Sequence, residues 1–168
     1  MNLLKPRKLA TGSLLFKWAD GDCMGRMYPA AYRRFIQLPI NDRLAVFSDI
    51  LSFLECVVSR NYVAIDFYDG SIMYDFVNGK TTICDIDLFR KQPCVNDMGH
   101  MWGSSRFQSP EEHQLGADID EITNVYTLGA TAFALFGEYN RTREKWQLSD
   151  KLFEIATRAV SDDRANRQ

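Results

Sequence analysis

Between Asp120 and Phe136 the chain carries a helix-length segment, DEITNVYTLGATAFALF, with no charged residue after Glu121. Val125, Leu128, Ala130, Ala132, Phe133 and Leu135 make it apolar nearly all round, and a helix of that kind is stable only when covered on most sides. The chain has 168 residues to provide that cover, enough for one domain with a real core but not for two. Hydrophobic residues make up 46% and charged residues 25% of it, which fits a soluble globular protein and excludes a disordered or collagen-like one.

The remaining pattern supplies helices and a few strands. Ser13–Trp18 reads as a strand running into a turn at Ala19-Asp20-Gly21-Asp22, and Pro29 suits the first turn of a short helix through Ala30–Ile36. Asn41 is a good N-cap for the segment that follows, in which Leu44, Phe47, Ile50, Leu51, Leu54, Val57 and Val58 recur at helical spacing. Strands are expected around Tyr62–Ile65, Ser71–Asp75 and Lys80–Cys84, with Asn78-Gly79 as a hairpin turn between the last two. Leu88–Ser109 contains Pro93, Gly99 and Gly103 and little periodicity, so it reads as a long loop, a class that is commonly functional. Ser109 and Pro110 open a short helix, and Ser149 caps a final one over Asp150–Val160. The expected fold class is therefore mainly α with a small antiparallel β hairpin region.

Composition excludes several functions. No apolar run approaches the roughly 18 residues that cross a bilayer, and the early apolar stretch is interrupted by Lys17, unlike a signal peptide. A cytoplasmic location without membrane contact is expected. The net charge of −2 and the lack of a basic block leave no footprint for nucleic acid. Cys23, Cys56, Cys84 and Cys94 lack close metal-ligand spacing and read as reduced, mostly buried thiols, and His100 and His113 read as ordinary surface positions. Trp102 and Trp146 read as packing anchors under loops.

Chemistry concentrates in Tyr62–Phe89. It reads as apolar strands that deliver Asp66 at the end of the first run and Asp85 at the end of the last. One carboxylate can orient or deprotonate a nucleophile while the other holds a hard cation with bound phosphates, which points to phosphoryl transfer. Asp69, Asp75 and Asp87 read as solvated loop or strand-end acids, with Asp87 close enough to Asp85 to alter metal binding.

The order of these elements resembles the C-terminal lobe of protein-kinase-like phosphotransferases, most of all the eukaryotic-type serine/threonine protein kinases, over nearly all of the chain. Ala64-Ile65-Asp66 stands where that family has His-Arg-Asp, Ser71 where it has the metal-binding Asn, and Asp85-Ile86-Asp87 where it has Asp-Phe-Gly. Gly103–Glu111, ending Ser109-Pro110-Glu111, is similar to the end of an activation segment, which closes in Ala-Pro-Glu. Asn124-Val125-Tyr126-Thr127-Leu128-Gly129 resembles the Asp-Val-Trp-Ser-Leu-Gly start of the central helix, and Leu14–Gly21 the strand and hinge before the lobe.

The resemblance implies a single lobe over 1–168, with 13–21 as residual hinge strand and linker, 62–87 as catalytic and metal-binding hairpin and 88–111 as an activation-segment-like loop. It implies ATP and Mg²⁺ as cofactors, Asp66 as the catalytic base, Asp85 as metal ligand and Ser71 as a weaker second one. Phe16 would stand at the gatekeeper, backbone groups of Lys17 and Ala19 would bond adenine, and Glu111, Asn124 and Arg167 would be structural. Asn124 would accept backbone N–H bonds from the catalytic loop through its amide oxygen, and Arg167 would pair with Glu111.

The departures also carry expectations. Only residues up to Ser13 precede the hinge, so most of an N-terminal lobe is expected to be missing and the chain alone to be feeble or inactive. Ile65 in place of arginine removes the partner of a phosphorylated loop, so Ser104, Ser105 and Ser109 read as cap and loop residues. A protein or small-molecule hydroxyl is the expected substrate. Two other readings stay open: a pseudokinase-like interaction module, and a small-molecule kinase of the aminoglycoside or choline type, against which the Gly103–Glu111 segment counts.

Overall fold

The computed structural model describes residues 7–10, 13–15 and 18–167. Strands β1 (Arg7–Ala10) and β2 (Ser13–Leu15) form an antiparallel pair, and β3 (Asp22–Cys23) precedes helices α1 (Pro29–Phe35) and α2 (Ile40–Ser59). Then come β4 (Tyr62–Val63), β5 (Ile72–Asp75), β6 (Lys80–Ile83), β7 (Arg90–Lys91), β8 (Cys94–Val95) and β9 (Asp118–Ile119), followed by α3 (Glu121–Phe136) and α4 (Asp150–Ala159). The strands make small antiparallel sheets: β3-β5-β6, β4-β7 and β8-β9 beside β1-β2.

Helix α3 is the axis of the molecule, as its lack of charge requires. Residues Gly129 through Gly137 are all buried. Phe133 packs against Trp146 and Phe153, with ring centroids 5.1 and 6.0 Å away, and Phe136 meets Phe47 of α2 edge-on at 5.8 Å. Such aromatic contacts add to the area they bury. Helix α4 lies so close at Gly129 that a Cβ there would sit 2.7 Å from the Cβ of Ala159.

The last carbonyls of α3 have no partner within the helix and would be costly to bury alone. Tyr32 Oη donates to Ala134 O at 2.8 Å, Arg43 Nη1 to Leu135 O at 3.0 Å, and the Gln147 backbone N–H to Phe136 O at 3.0 Å. Arg43 is 5% exposed; its charge suits the negative end of the helix dipole, which explains a buried arginine in the middle of an apolar face.

Several sequence expectations are corrected. Helix α2 starts at Ile40 with Pro39 as its N-cap, so Asn41 lies inside the first turn; proline's fixed φ starts the helix without a side-chain cap. The buried face of α2 is Arg43, Val46, Ile50, Phe53, Leu54 and Val57, while Leu51 is exposed. The Leu88–Ser109 segment is not bare loop, because β7 pairs with β4 and β8 with β9. All four cysteines are free thiols, and none of them is fully buried. Trp146 is a packed anchor at 5% exposure, but Trp102 is 63% exposed and anchors nothing.

Candidate active site

Asp66 and Asp85 do not leave a common hairpin. β4 pairs with β7, and the hairpin proper is β5-β6, in register Ile72 with Ile83 through Asp75 with Lys80. Asp75, expected in solvent, is buried and closes the β5-β6 turn, accepting from the backbone N–H of Val77 and Asn78 and from Asn78 Nδ2. Gly79 takes the left-handed φ of 62° that the turn needs.

The loop from Ala64 to Ser71 brings Asp66 to the hairpin. It is pinned at Ala64 by Asn124 of α3, whose Oδ1 accepts from Ala64 N at 2.9 Å while its Nδ2 donates to Ala64 O at 2.8 Å. An aspartate could make only the first of these bonds, so the amide satisfies a carbonyl that a carboxylate would repel. Val63, Ala64 and Ile65 are buried, which leaves Asp66 as the first residue of the loop that reaches partly into solvent.

Ser71 joins the two acidic turns. Its Oγ lies 3.4 Å from Asp66 O and 3.4 Å from Tyr68 N, and its carbonyl accepts from Cys84 N at 2.9 Å, one residue before Asp85. The Ser71 side chain is fully enclosed, its hydroxyl engaged with the loop rather than turned to the cleft as a metal ligand would be. Asp66 and Asp85 both hold left-handed backbone, with φ of 58° and 57°. Strain of that kind at non-glycine residues concentrates in working sites, where surrounding structure holds it.

The acids feel one another. Burial raises the pKa of Asp66 above the usual carboxylate range, and the charges of Asp85 and Asp87 raise it further. Asp85 is exposed, yet partial desolvation and then the charge of Asp87 raise its pKa, and the phenol of Tyr68 is raised by burial and then by Asp66 and Asp85. Gly103 closes over this group: with φ of 140°, a Cβ there would lie 3.3 Å from Asp66 Oδ1 and 3.1 Å from Gln108 Nε2. Among the described residues no three His, Cys, Asp or Glu side chains form a ready metal cage. The side chains here that could offer oxygens to a cation are those of Asp66, Asp85 and Asp87, which feel one another's charge.

The segment after Gly103 is anchored from below. Ser109 and Glu112 make a capping box, Ser109 donating to Glu112 Oε2 through N at 2.7 Å and Oγ at 2.9 Å. Arg167 forks onto Glu111, Nη1 to Oε1 at 2.6 Å and Nη2 to Oε2 at 3.0 Å, with Thr123 Oγ1 and Arg164 Nη1 each 3.0 Å from Oε1. Burial pushes the Glu111 carboxyl up, but the bonds and charge of Arg167 outweigh it and hold the pKa below the usual range.

Of the residues read as adenine-binding, Phe16 and Lys17 lie outside the described residues, and Ala19 is half-buried beside the β3 turn. Sequence reasoning missed Arg106, Tyr139, Gln108 and Arg164, and misread Asp69, which is 2% exposed rather than solvated. Tyr139 Oη donates to Asp69 Oδ2 and Arg106 Nη2 lies 3.5 Å from the same oxygen. His100 and His113 are exposed as expected, but their Nδ1 atoms lie 2.8 Å apart.

No protein-family model matches the sequence, and no curated protein does. Solved structures do match, 1008 chains in number, and a fold alone does not select an activity. One is the kinase PK-1 of Cydia pomonella granulovirus, with a TM-score of 0.68 at 16% identity over 98% of this chain and 70% of that one. The chain therefore has a protein-kinase-like fold.

Proposed function

We propose that this kinase-like chain belongs to an ATP-dependent phosphotransferase acting on a hydroxyl, in the manner of the serine/threonine protein kinases. The observation that carries this reading is the pair of left-handed aspartates, Asp66 and Asp85, brought within electrostatic reach of one another by the two turns that Ser71 joins.

Asp66 would orient the acceptor hydroxyl and take its proton; burial and neighbouring charge raise its pKa, which makes it a better base than an exposed carboxylate. Asp85, with Asp87 beside it, would hold Mg²⁺. That ion, when bound, neutralises charge on the phosphates of ATP. Ser71 braces both turns from its enclosed position. Its place as a second ligand, expected from the resemblance, is the less favoured assignment, because its hydroxyl is spent on Asp66 O and Tyr68 N.

One observation favours the interaction-module reading: with Ser71 enclosed, the metal would rest on adjacent acids of one turn, a thinner ligand set than a kinase uses. Transfer of the γ-phosphate from ATP to serine peptides and to amino sugars, with Mg²⁺, separates the readings. Slow transfer to a peptide, reduced at least about a hundredfold in both Asp66→Asn and Asp85→Asn, is expected. Transfer unaffected by either change would overturn the assignment, and ATP binding without transfer to any acceptor would favour the binding module.

A further inference from the structure

We propose that Arg106, Asp69 and Tyr139 form a charged latch that seats the Gly103–Phe107 segment against the Asp66 loop without phosphorylation, making Arg106 a positioning residue. The role of Asp66 in this statement rests on the phosphotransferase reading; the latch itself rests on geometry.

Asp69 lies in the same short loop as Asp66, three residues on, and is buried. Its Oδ2 receives the Tyr139 hydroxyl and faces the Arg106 guanidinium at 3.5 Å, while its Oδ1 has no partner among the described residues. A buried carboxylate with one orphaned oxygen depends heavily on the cation that remains. Arg106 also stacks on the Tyr139 ring at 4.6 Å and on that of Phe107 at 5.5 Å, so its position is fixed by two kinds of contact. Tyr139 is itself held in a left-handed backbone, φ 64°, immediately after Glu138 at 51°. Two consecutive strained residues place that phenol where Asp69 needs it.

The latch acts on the segment that closes over Asp66. Gly103 comes near enough to Asp66 that a Cβ there would lie 3.3 Å from its Oδ1, Gln108 Nε2 holds the carbonyls of Met101 and Trp102 at 2.8 and 3.1 Å, and Arg141 Nη2 holds that of Arg106 at 3.1 Å. Of these links, only the Arg106–Asp69 pair joins the segment to the Asp66 loop by charge. Its polarity is the reverse of a phosphate latch: the cation is on the segment and the anion on the loop, where buried Ile65 contributes no charge. Everything the latch needs is encoded in the chain.

Hydrogen exchange of the phosphatase-treated full chain tests this independently of catalysis. The amides of Phe107 and Gln108, both bonded to Ser104 O, should be protected in the wild type. They should exchange roughly tenfold faster or more in Arg106→Gln, less so in Tyr139→Phe, and close to wild type in Arg106→Lys, with α2 and α3 unchanged. A segment already unprotected after phosphatase treatment, equal rates in Arg106→Gln, or faster exchange spread through α2 and α3 would overturn it. In the transfer assay Arg106→Gln should lower kcat while KM for ATP holds. If the wild type transfers no phosphate, the functional reading fails, and the exchange data still decide the latch.

Discussion

Glu112 is 4% exposed, and its carboxyl accepts from the N and Oγ of Ser109. Burial pushes its pKa up from an ordinary 4.5 to about 7, against the lowering effect of the Ser109 bonds. Between those two values the folded state binds more protons than the unfolded one, so this group's contribution to stability falls as pH rises. Urea unfolding of the wild type and Glu112→Gln at pH 5 and pH 8 isolates the effect, since glutamine cannot titrate. The stability of the wild type relative to the variant should drop between the two pH values by up to about 3 kcal/mol; parallel behaviour would show that Glu112 stays ionised when folded. This residue was legible as a local pattern, because Ser109 and Glu112 stand three apart around Pro110. Asp69 was not, because Tyr139 is 70 positions away and nothing in the neighbourhood of either residue announces the other.

Among elements, the approach of α3 to α4 turns on one missing methyl. Alanine at Gly129 would favour the helix by up to about 1 kcal/mol, but its Cβ would fall 2.7 Å from Ala159 Cβ and 2.9 Å from Val160 Cγ1. Overpacking should win, with Gly129→Ala destabilising by about 1–3 kcal/mol. Adding Ala159→Gly should recover part of that loss, a coupling that a double-mutant cycle in urea reads directly. Additive losses would contradict so close an approach of the two helices. The helices themselves were readable from periodicity and caps: α3 and α4 end within a residue of expectation, at Phe136 and Ala159. Strand partnership was not readable. Four-residue and two-residue strands carry too little pattern to say that β4 pairs with β7, so the sequence alone suggests a common hairpin for Asp66 and Asp85 that the structure does not have. The loop that does carry Asp66 is set by Asn124, 60 positions away.

At the scale of the whole molecule, one buried helix organises the rest. Its first turns hold the Asp66 loop through Asn124 and join the ion-paired Glu111 through Thr123, and its last turn is closed by Tyr32 and Arg43. The cleft acids, the segment over them and the Glu111–Arg167 pair are thus fixed to a common support. Among the described residues no helix is long and apolar enough to cross a membrane.

If the acids of that cleft hold Mg²⁺ and the phosphates of ATP, ligand should stabilise the folded chain only with the metal present. Thermal unfolding with ATP, with and without Mg²⁺, in the wild type, Asp66→Asn and Asp85→Asn is the most direct test. At ten times Kd the wild type should gain about 1.4 kcal/mol, roughly 3–5 °C; Asp66→Asn should keep this gain and Asp85→Asn lose it. A shift that ignores Mg²⁺, or that survives in Asp85→Asn, would contradict the account.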